Sequence, residues 1–486
     1  MQSSRSTATL WRSLWSAARS PAHTTKRSAS SALIASSSQR STPPSPSTRS
    51  ALFTIPTQTR ALSSTFRQTR RYASTISSSE PLQKTPLYDL HLSHGAKMVP
   101  FGGFHMPVQY SGLSVGQSHH FTREHASLFD VSHMVQRHFS GPGAAAFLQR
   151  ITPSDCEGLG EHRSTLSALM TADGLGGISD DTIITKLPSG NFYVVTNAGC
   201  REKDNEYLDS EVSKWNSEKG HEDLQVKEDR WDGKGLIALQ GPESEAVLQG
   251  LLNDTELVDL KKLLFGQSLY ATIKLSGGKA SSPVLISRGG YTGEDGFEIS
   301  IEGEETVAVT EAILSAGPEK VQLAGLGARD SLRLEAGMCL YGHDLNDSIT
   351  PVEAGLSWII PKERRSADAG YYGAEVIAEQ LLPKSKGGAG VERRRVGLIV
   401  EGAPAREGAE IVSRAEEGKE ATKLGVVTSG CPSPSLGKNI AMGYVKDGFH
   451  KAGTEVDVLV RGRPRKAVIT KMPFVPTKYW KGIAPA

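Results

Sequence analysis

The sequence predicts an α+β fold in which two related halves of mixed helix and strand precede a small antiparallel β-barrel. Two observations predict the halves: a strand–turn–helix pattern occurs twice, and a glycine-rich hairpin follows each copy. A third observation predicts the barrel, because the C-terminal part of the chain is a series of short β-type runs separated by turns.

The repeated pattern lies in FSGPGAAAFLQRI (139–151) and LQGPESEAVLQGL (239–251). In both stretches an apolar run leads into Gly-Pro, and an amphipathic stretch follows. Proline near a helix start has its φ angle already fixed and gives up no hydrogen bond, so each stretch is predicted to form strand, turn and helix. Chance similarity is the alternative, because Gly-Pro before a helix is common.

The predicted hairpins are TADGLGGISDDTIIT (171–185) and SRGGYTGEDGFEIS (287–300), each with an acidic residue beside its turn. A polar, glycine-rich stretch over 383–395 is typical of a linker. The β-type runs beyond it recur at intervals of roughly a dozen residues, the spacing of a small barrel or sandwich. The predicted domains are a body over 80–385, with two lobes that meet near residue 230, and a barrel domain over 390–482.

Residues 1–79 hold ten arginines and Lys26 but no Asp or Glu, and they are rich in Ser, Thr and Ala. This composition is typical of an organellar transit peptide, predicted over 1–75 with cleavage near Tyr72; a disordered basic tail is the alternative. All 53 acidic residues lie beyond this segment, so the body is acidic. An acidic body argues against nucleic-acid binding, and without 18 consecutive apolar residues no membrane span is expected.

Several kinds of site are not predicted by the motifs of the chain. Its four scattered cysteines form no C-x-x-C and have no histidine at ligand spacing, so we expect buried thiols and neither a zinc site nor disulfides. No G-x-G-x-x-G follows a strand, so no flavin or NAD domain is predicted. The absence of H-E-x-x-H and G-x-S-x-G argues against zinc proteases and serine hydrolases.

Asp180 and Asp181 stand side by side at the start of a predicted strand. Successive side chains of a strand point to opposite faces, so Asp180 is expected on the face of Thr182, and Asp181 on the face of Ile183. The two carboxylates are therefore not predicted to share a proton with one another. We expect only one of them to face a cleft, and periodicity leaves open which one.

Other polar residues stand at positions suited to ligand binding. Glu298 is predicted on the strand face opposite Phe297, and Tyr291 on a glycine loop from which it could stack on a ring. A solvent-facing strand position and turn packing are the respective alternatives. Arg329, in a helix predicted from about that residue, could bind a carboxylate-bearing ligand, although a surface salt bridge is the favoured interpretation.

Two further candidates stand at the ends of predicted elements. Asn197 ends the strand in YVVTNAGC, where its amide can both donate and accept, or simply begin a turn. Tyr479 lies near the C-terminus after KMPFVPT, either in a binding role or in a tail packed on the protein.

Long motifs along the chain resemble those of one known family. In order they are TPLYDLHLSHGAKMVPF, SLFDVSHM, YVVTNAGC, RGGYTGEDGFEIS, LAGLGARDSLRLEAG, TPVEAGLSW, RRRVGL, TSGCPSPSL and KMPFVPT. With these motifs, from about residue 85 to 480, the chain resembles the mitochondrial aminomethyltransferases, the T-proteins of the glycine cleavage system. The resemblance implies a three-domain cloverleaf: two related α+β folate-binding domains and a C-terminal antiparallel β-barrel.

The resemblance also implies a reaction in the mitochondrial matrix. The methylene of an aminomethyl group on the dihydrolipoyl arm of the H-protein passes to tetrahydrofolate, ammonia is released, and the arm is left as a dithiol. The implied partners are the lipoylated H-protein and, transiently, the other glycine cleavage components, with no nucleic acid or membrane. The implied co-substrate is tetrahydrofolate, with no metal, flavin or NAD.

Family residues carry over position by position. The family's catalytic aspartate matches Asp181, whose carboxylate would orient or accept the proton of the attacking folate nitrogen and stabilise an iminium-like carbon. Glu298 matches the glutamate that would hydrogen-bond the amino-pyrimidine edge of the pterin. The other positions that match folate-binding motifs are Arg329, Tyr479, Tyr291 and Asn197.

Three alternatives come from other classes of protein. Non-catalytic folate-binding relatives that assist iron–sulfur cluster assembly carry a K-G-C-[YF]-x-G-Q-E motif, which is missing here. Sarcosine and dimethylglycine dehydrogenases join a similar folate module to a flavin domain, and this chain is too short to hold both. A purely structural partner-binding protein would not need polar residues clustered on hairpins and strand ends.

Overall fold

A computed structural model describes residues 81–253, 255–414 and 420–482. The predicted transit peptide over 1–75 and its cleavage site lie outside these residues. No helix among the described residues is long and apolar enough to cross a membrane. The α-helices are α1 (Tyr88–Ser93), α2 (Val115–Glu124), α3 (Ala144–Ile151), α4 (Arg201–Ser217), α5 (Ser244–Leu251), α6 (Thr306–Leu314), α7 (Leu326–Glu335) and α8 (Ala374–Leu381).

The β-strands fall into a hairpin, two sheets and a closed barrel. In chain order they are β1 (Ala96–Phe101), β2 (Phe104–Tyr110), β3 (Ala126–Asp130), β4 (Val135–Ser140), β5 (Ser164–Met170), β6 (Ile178–Lys186), β7 (Phe192–Thr196), β8 (Lys227–Arg230), β9 (Gly235–Gln240), β10 (Gln267–Ala271), β11 (Val284–Arg288), β12 (Gly296–Ile301), β13 (Val321–Leu323), β14 (Arg393–Val400), β15 (Glu410–Val412), β16 (Lys423–Ser433), β17 (Lys438–Lys446), β18 (Glu455–Val460) and β19 (Arg463–Thr470).

The strand order shows how the two halves interlock. The first sheet has the order β5-β6-β7-β4-β8, and the second has the order β10-β11-β12-β9-β3-β13. Strand β3 comes early in the chain yet lies in the second sheet, where it pairs antiparallel with β9 and parallel with β13. Strands β14 to β19 close an antiparallel barrel in the order β14-β17-β16-β15-β18-β19, which confirms the predicted fold class.

Both predicted strand–turn–helix units are present, as β4 followed by α3 and β9 followed by α5. The glycine of each Gly-Pro turn has a positive φ angle, +103° at Gly141 and +128° at Gly241. A side chain at Gly241 would also collide with the backbone, because its Cβ would lie 1.9 Å from the carbonyl oxygen of His125. The turn thus needs glycine for both conformation and space.

A hydrophobic core between the two sheets fixes the elements that carry the candidate residues. It includes Phe129, Val195, Leu285 and Leu332, each almost fully buried. Burying one such side chain stabilises the fold by about 1.5–3 kcal/mol. Val195 is two residues before Asn197, and Leu332 lies one helical turn after Arg329. The same core therefore holds both polar residues in place.

A buried carboxylate joins the body to the barrel. Glu335, at the end of α7, accepts hydrogen bonds from His119 Nε2 at 3.1 Å, Arg123 Nη2 at 2.8 Å and Ser435 Oγ at 2.8 Å, and a further one from Ser433. Burial alone would raise its pKa. The hydrogen bonds from His119 and Ser433 and the charge of His119 outweigh burial, and the pKa of Glu335 falls to about 2.

Replacing this carboxylate is expected to destabilise the protein in a pH-dependent way. Glu335→Gln should lower the free energy of unfolding by about 2–4 kcal/mol near neutral pH, because it removes a buried carboxylate that pairs with both His119 and Arg123 and leaves Arg123 with Glu294 alone. A group with a lowered pKa stabilises the fold above its unfolded-state pKa of about 4.3, and this stabilisation is lost as pH falls toward 2.

Urea unfolding of the wild type and the variant from neutral to acidic pH measures this difference. The gap between the two proteins should shrink as the pH falls. Glu311→Gln on the exposed face of α6 is the matched control and should change stability by less than about 0.5 kcal/mol. A gap that stays constant with pH would contradict the assignment.

Candidate active site

The candidate site is built where strands β6 and β7 part. Their ladder runs from Ile183 paired with Val195 to Lys186 paired with Phe192, so it ends before the two aspartates. On the other side of β6, the pairing with β5 shifts register just past Asp180, at the Leu169/Met170 step. The ladder of β7 with β6 is thus replaced at this end by side-chain hydrogen bonds.

Asn197, the first residue after β7, fills the opening between the strands. Its backbone N–H donates to Asp180 Oδ2 at 2.8 Å, and its amide Nδ2 donates to Asp180 Oδ1 at 2.8 Å. The same Nδ2 also donates to Asp181 Oδ1 at 2.9 Å and to the Asp181 carbonyl at 3.2 Å. One amide group therefore positions both carboxylates.

The face prediction is confirmed in burial. Asp180 is fully buried, whereas Asp181 is partly exposed, as alternate faces require. Strand alternation does not reveal that Asn197 contacts both aspartates. Asn197 can do so because its side chain lies in the gap between two strands and reaches residues on both faces. The amide of Asn197 links the two carboxylates.

The charge environment makes Asp181 unusually basic for a carboxylate. Burial is the main cause and the charge of Asp180 is the second, and together they raise the pKa of Asp181 to about 7. The hydrogen bond from Asn197 acts in the opposite direction and only partly offsets them. Asp181 can therefore gain or lose a proton near neutral pH.

Arg329 and Tyr291 form the next part of the site. The guanidinium carbon of Arg329 lies 4.7 Å from the centroid of the Tyr291 ring, and the Tyr291 hydroxyl donates to the Cys339 carbonyl. Arg329 Nη1 is buried without a hydrogen-bond partner among the described residues. Burial foremost raises the pKa of Tyr291, and the charge of Asp181 raises it further, so these groups share one environment.

Glu298 completes this group from strand β12. Its neighbours Phe297 and Ile299 point into the core of the second sheet, so Glu298 lies on the opposite face, as predicted. Burial raises its pKa, and the positive charge of Arg329 partly compensates. The described residues give it no salt bridge, although Arg329 is close enough to act on its charge.

Two alternatives for these residues are wrong. Arg329 does not form the surface salt bridge that its helix position favoured, because it is partly buried and has no ion pair among the described residues. Glu298 is not a solvent-facing strand residue. Helix α7 also begins at Leu326, three residues earlier than expected, after Gly325 in an extended conformation.

Tyr479 lies in the C-terminal tail, which is hydrogen-bonded to the loop that carries Tyr291. Among the described residues, its hydroxyl makes no hydrogen bond to the other candidate residues. Its ring stacks on Phe265 with centroids 4.3 Å apart, and its hydroxyl has no partner among the described residues. Burial raises its pKa to about 12. The N–H of Lys478 donates to the Gly293 carbonyl at 2.8 Å, which confirms a tail packed on the protein.

Sequence reasoning missed Asp204, which lies behind Asp180. A signal was present in helix α4, where Asp204, Leu208, Glu211 and Trp215 fall on one helical stripe and all four are buried. Because Leu208 and Trp215 define the apolar face, an acid on the same stripe had to be buried too. Because a fully buried aspartate is rare unless it is paired, this stripe predicts a hydrogen-bonding or charged partner for Asp204.

The comparisons with known proteins agree with this architecture. The family model of the GCVT N-terminal domain matches residues 87–364, and that of the glycine cleavage T-protein C-terminal barrel domain matches residues 393–476. A solved structure, glycine cleavage system aminomethyltransferase T from Bartonella henselae, is 37% identical with a TM-score of 0.70. It covers 82% of this chain and 100% of that one.

Curated relatives are similar over most of their length. The probable mitochondrial aminomethyltransferase of Schizosaccharomyces pombe is 48% identical over 85% of this chain and 97% of that protein. The mitochondrial aminomethyltransferase of Mesembryanthemum crystallinum is 46% identical, covering 84% and 92%, and that of Saccharomyces cerevisiae is 46% identical, covering 82% and 96%.

Proposed function

Because the chain belongs to the T-protein family of the glycine cleavage system, we propose that the group around Asp181 is the active site of its aminomethyltransferase reaction. The observation that carries this proposal is the Asp181 carboxylate itself. It is partly exposed, fixed by Asn197 and raised in pKa to about 7. Iron–sulfur assembly by a non-catalytic relative is not favoured, since the named relatives are aminomethyltransferases.

The proposed reaction balances without an oxidant. Tetrahydrofolate supplies two N–H groups, and the aminomethyl carbon on the sulfur of the H-protein arm loses its C–S and C–N bonds. Two new C–N bonds give methylene-tetrahydrofolate. The two protons pass to nitrogen and sulfur, which leave as ammonia and as the thiol of the arm.

Asp181 is proposed to work in its ionised form. A carboxylate with a pKa near 7 is basic enough to take a proton from the attacking folate nitrogen, and it is partly ionised at neutral pH. Its negative charge would also stabilise the iminium-like carbon that forms when the C–S or C–N bond breaks. Both roles require the deprotonated carboxylate.

The polar groups nearby are proposed to bind the folate. Glu298 would accept hydrogen bonds from the amino-pyrimidine edge of the pterin. Arg329, whose Nη1 has no partner within the described ranges, would donate to an acceptor of the same ligand. Tyr291 and Tyr479 would contact its rings, and the amide of Asn197 would keep Asp181 directed at it.

The setting of the reaction follows from the family. The chain is a mitochondrial enzyme, and its partner is proposed to be the lipoylated H-protein, with other glycine cleavage components bound transiently. We also propose the division into a body over 80–385, with lobes that meet near residue 230, and a barrel domain over 390–482. The purified mature protein, given aminomethyl-loaded H-protein and tetrahydrofolate, should release ammonia, and background release alone would overturn the proposal.

The catalytic role of Asp181 can be tested against its neighbour. Asp181→Asn should lower kcat by at least about 100-fold, because the amide cannot accept the proton. Asp180→Asn should cost less than about tenfold, since Asp180 is buried behind the site. Asp209→Asn, an exposed acid on α4, should leave kcat unchanged. Equal losses at positions 180 and 181 would contradict the assignment.

The raised pKa of Asp181 predicts the pH dependence of kcat. Since the ionised carboxylate is the active form, kcat should rise with pH and level off above a midpoint near 7. Steady-state ammonia release between about pH 5.5 and 9 measures this profile. A profile that is flat through pH 7, or that falls across it, would show that the ionised form is not required.

Glu298 should be required for folate affinity. Glu298→Ala should weaken tetrahydrofolate binding by about 10- to 100-fold, the loss expected for hydrogen bonds to a charged partner in a buried site. Isothermal titration calorimetry measures the Kd. Glu304→Ala, which removes an exposed carboxylate from the short turn after β12, is the control and should bind normally. Unchanged affinity in Glu298→Ala would remove this residue from the site.

A further inference from the structure

We propose that Asp204 is a positioning residue for the active site: it is protonated and donates a hydrogen bond to Asp180, which together with Asn197 fixes the Asp181 carboxylate. The inference rests on the proposed function of Asp181. It adds a residue from helix α4 that acts on Asp181 through Asp180 and Asn197 and not through a hydrogen bond of its own.

The geometry places two buried carboxyl groups close together. An oxygen of Asp180, an oxygen of Asp204 and the sulfur of Cys200 all lie within 4.8 Å of one another. Asp180 and Asp204 are both fully buried. Among the described residues, no N–H or O–H of another side chain or of the backbone donates to either oxygen of Asp204.

Two ionised carboxylates in such a place would repel one another without water to screen them, so one must hold a proton. Asp180 accepts two hydrogen bonds from Asn197, which favour its ionised form, whereas Asp204 accepts none from the residues that the structure describes. The proton therefore belongs to Asp204. Consistent with this, burial first and the charge of Asp180 second raise the pKa of Asp204 well above its usual range.

Charged groups from every neighbouring element face this pair. The charges of Arg137 and Lys203 both act on Asp204. Nζ of Lys203 donates to the Ser179 carbonyl at 2.6 Å, the Tyr341 hydroxyl at 2.7 Å and Asp347 Oδ1 at 3.0 Å. The titratable groups that act on Asp180 or Asp204, or are acted on by them, are Asp181 on β6, Cys200 before α4, Lys203 and Tyr207 on α4, Arg137 on β4 and Tyr341 after α7.

The arrangement gives the pair a single negative charge and a fixed geometry. Asn197 donates to both oxygens of Asp180, and the proton of Asp204 adds a third donor to the same carboxylate, so the rotation of Asp180 is restricted. The amide of Asn197 is thereby locked in the orientation that reaches Asp181. The charge of Asp180 also acts on Asp181, so the pair sets both the position and the basicity of the reactive carboxylate.

Infrared spectroscopy can detect the proton directly, because a protonated carboxyl group has a C=O stretching band that a carboxylate lacks. The measurement uses the purified mature protein at about pH 8.5, where Asp181, with a pKa near 7, is ionised. We expect the band in the wild type and in Asp181→Asn, and its loss in Asp204→Asn. A wild type without the band, or a band that persists in Asp204→Asn, would overturn the proposal.

Kinetics test the positioning role through a readout that a merely structural role would not move. Asp204→Asn keeps a donor toward Asp180, so its kcat should stay within about threefold of wild type and the midpoint of its pH profile should not move. Asp204→Ala removes the donor and should lower kcat by about five- to tenfold, no more than Asp180→Asn does, with little change in the KM for tetrahydrofolate. Asp180→Asn removes the negative charge, and its pH midpoint should move to lower pH.

A pH midpoint that moves in Asp204→Asn would mean that Asp204 carries a charge, and would overturn the proposal. Circular dichroism confirms that each variant is folded, and the infrared comparison of wild type with Asp204→Asn stands even where Asp204→Ala does not fold. Asp209→Asn on the exposed side of α4 is the matched control for both measurements. If Asp181→Asn keeps full activity, the proposed active site fails, whatever the infrared band shows.

Discussion

The amide of Asn197 is the contact on which the candidate site depends. Strands β6 and β7 stop exchanging backbone hydrogen bonds after the pair Ile183 and Val195, and the amide takes over that role with two carboxylates as its acceptors. An amide suits this position because it carries two N–H donors in fixed directions and no charge. The strands can therefore separate to admit a ligand while both aspartates remain hydrogen-bonded to Asn197.

The pKa values of three similar acids are shifted in opposite directions, and the number of hydrogen-bond donors around each acid decides the direction. Glu335 receives hydrogen bonds from both the body and the barrel, and its pKa falls to about 2. Asp181 has one amide donor and an anionic neighbour, and its pKa rises to about 7. Asp204 accepts no hydrogen bond from the part of the chain that the structure describes, and its pKa rises well above the usual range. Burial alone would not separate these cases, since it acts to raise the pKa of all three carboxyls.

Local patterns in the sequence predicted what depends on local geometry. Alternation along a strand gave the faces of Asp181 and Glu298, and the spacing of β-type runs gave the barrel. The contact of Asn197 with both aspartates could not be predicted, because it depends on where two strands separate in space. The burial of Asp204 could have been predicted from the helical stripe that it shares with Leu208. That stripe does not indicate which carboxyl group Asp204 contacts.

Strand β3 has a consequence for how the chain reaches this structure. It is made early, yet both of its partners in the second sheet, β9 and β13, come more than a hundred residues later. Until then its unpaired backbone groups and buried side chains have no sheet to join, and closing so long a loop is entropically costly. A chain delivered from its N-terminus must therefore keep β3 exposed until most of the body has emerged. In that interval, the strand that later holds the two halves together is the segment most in need of protection from aggregation.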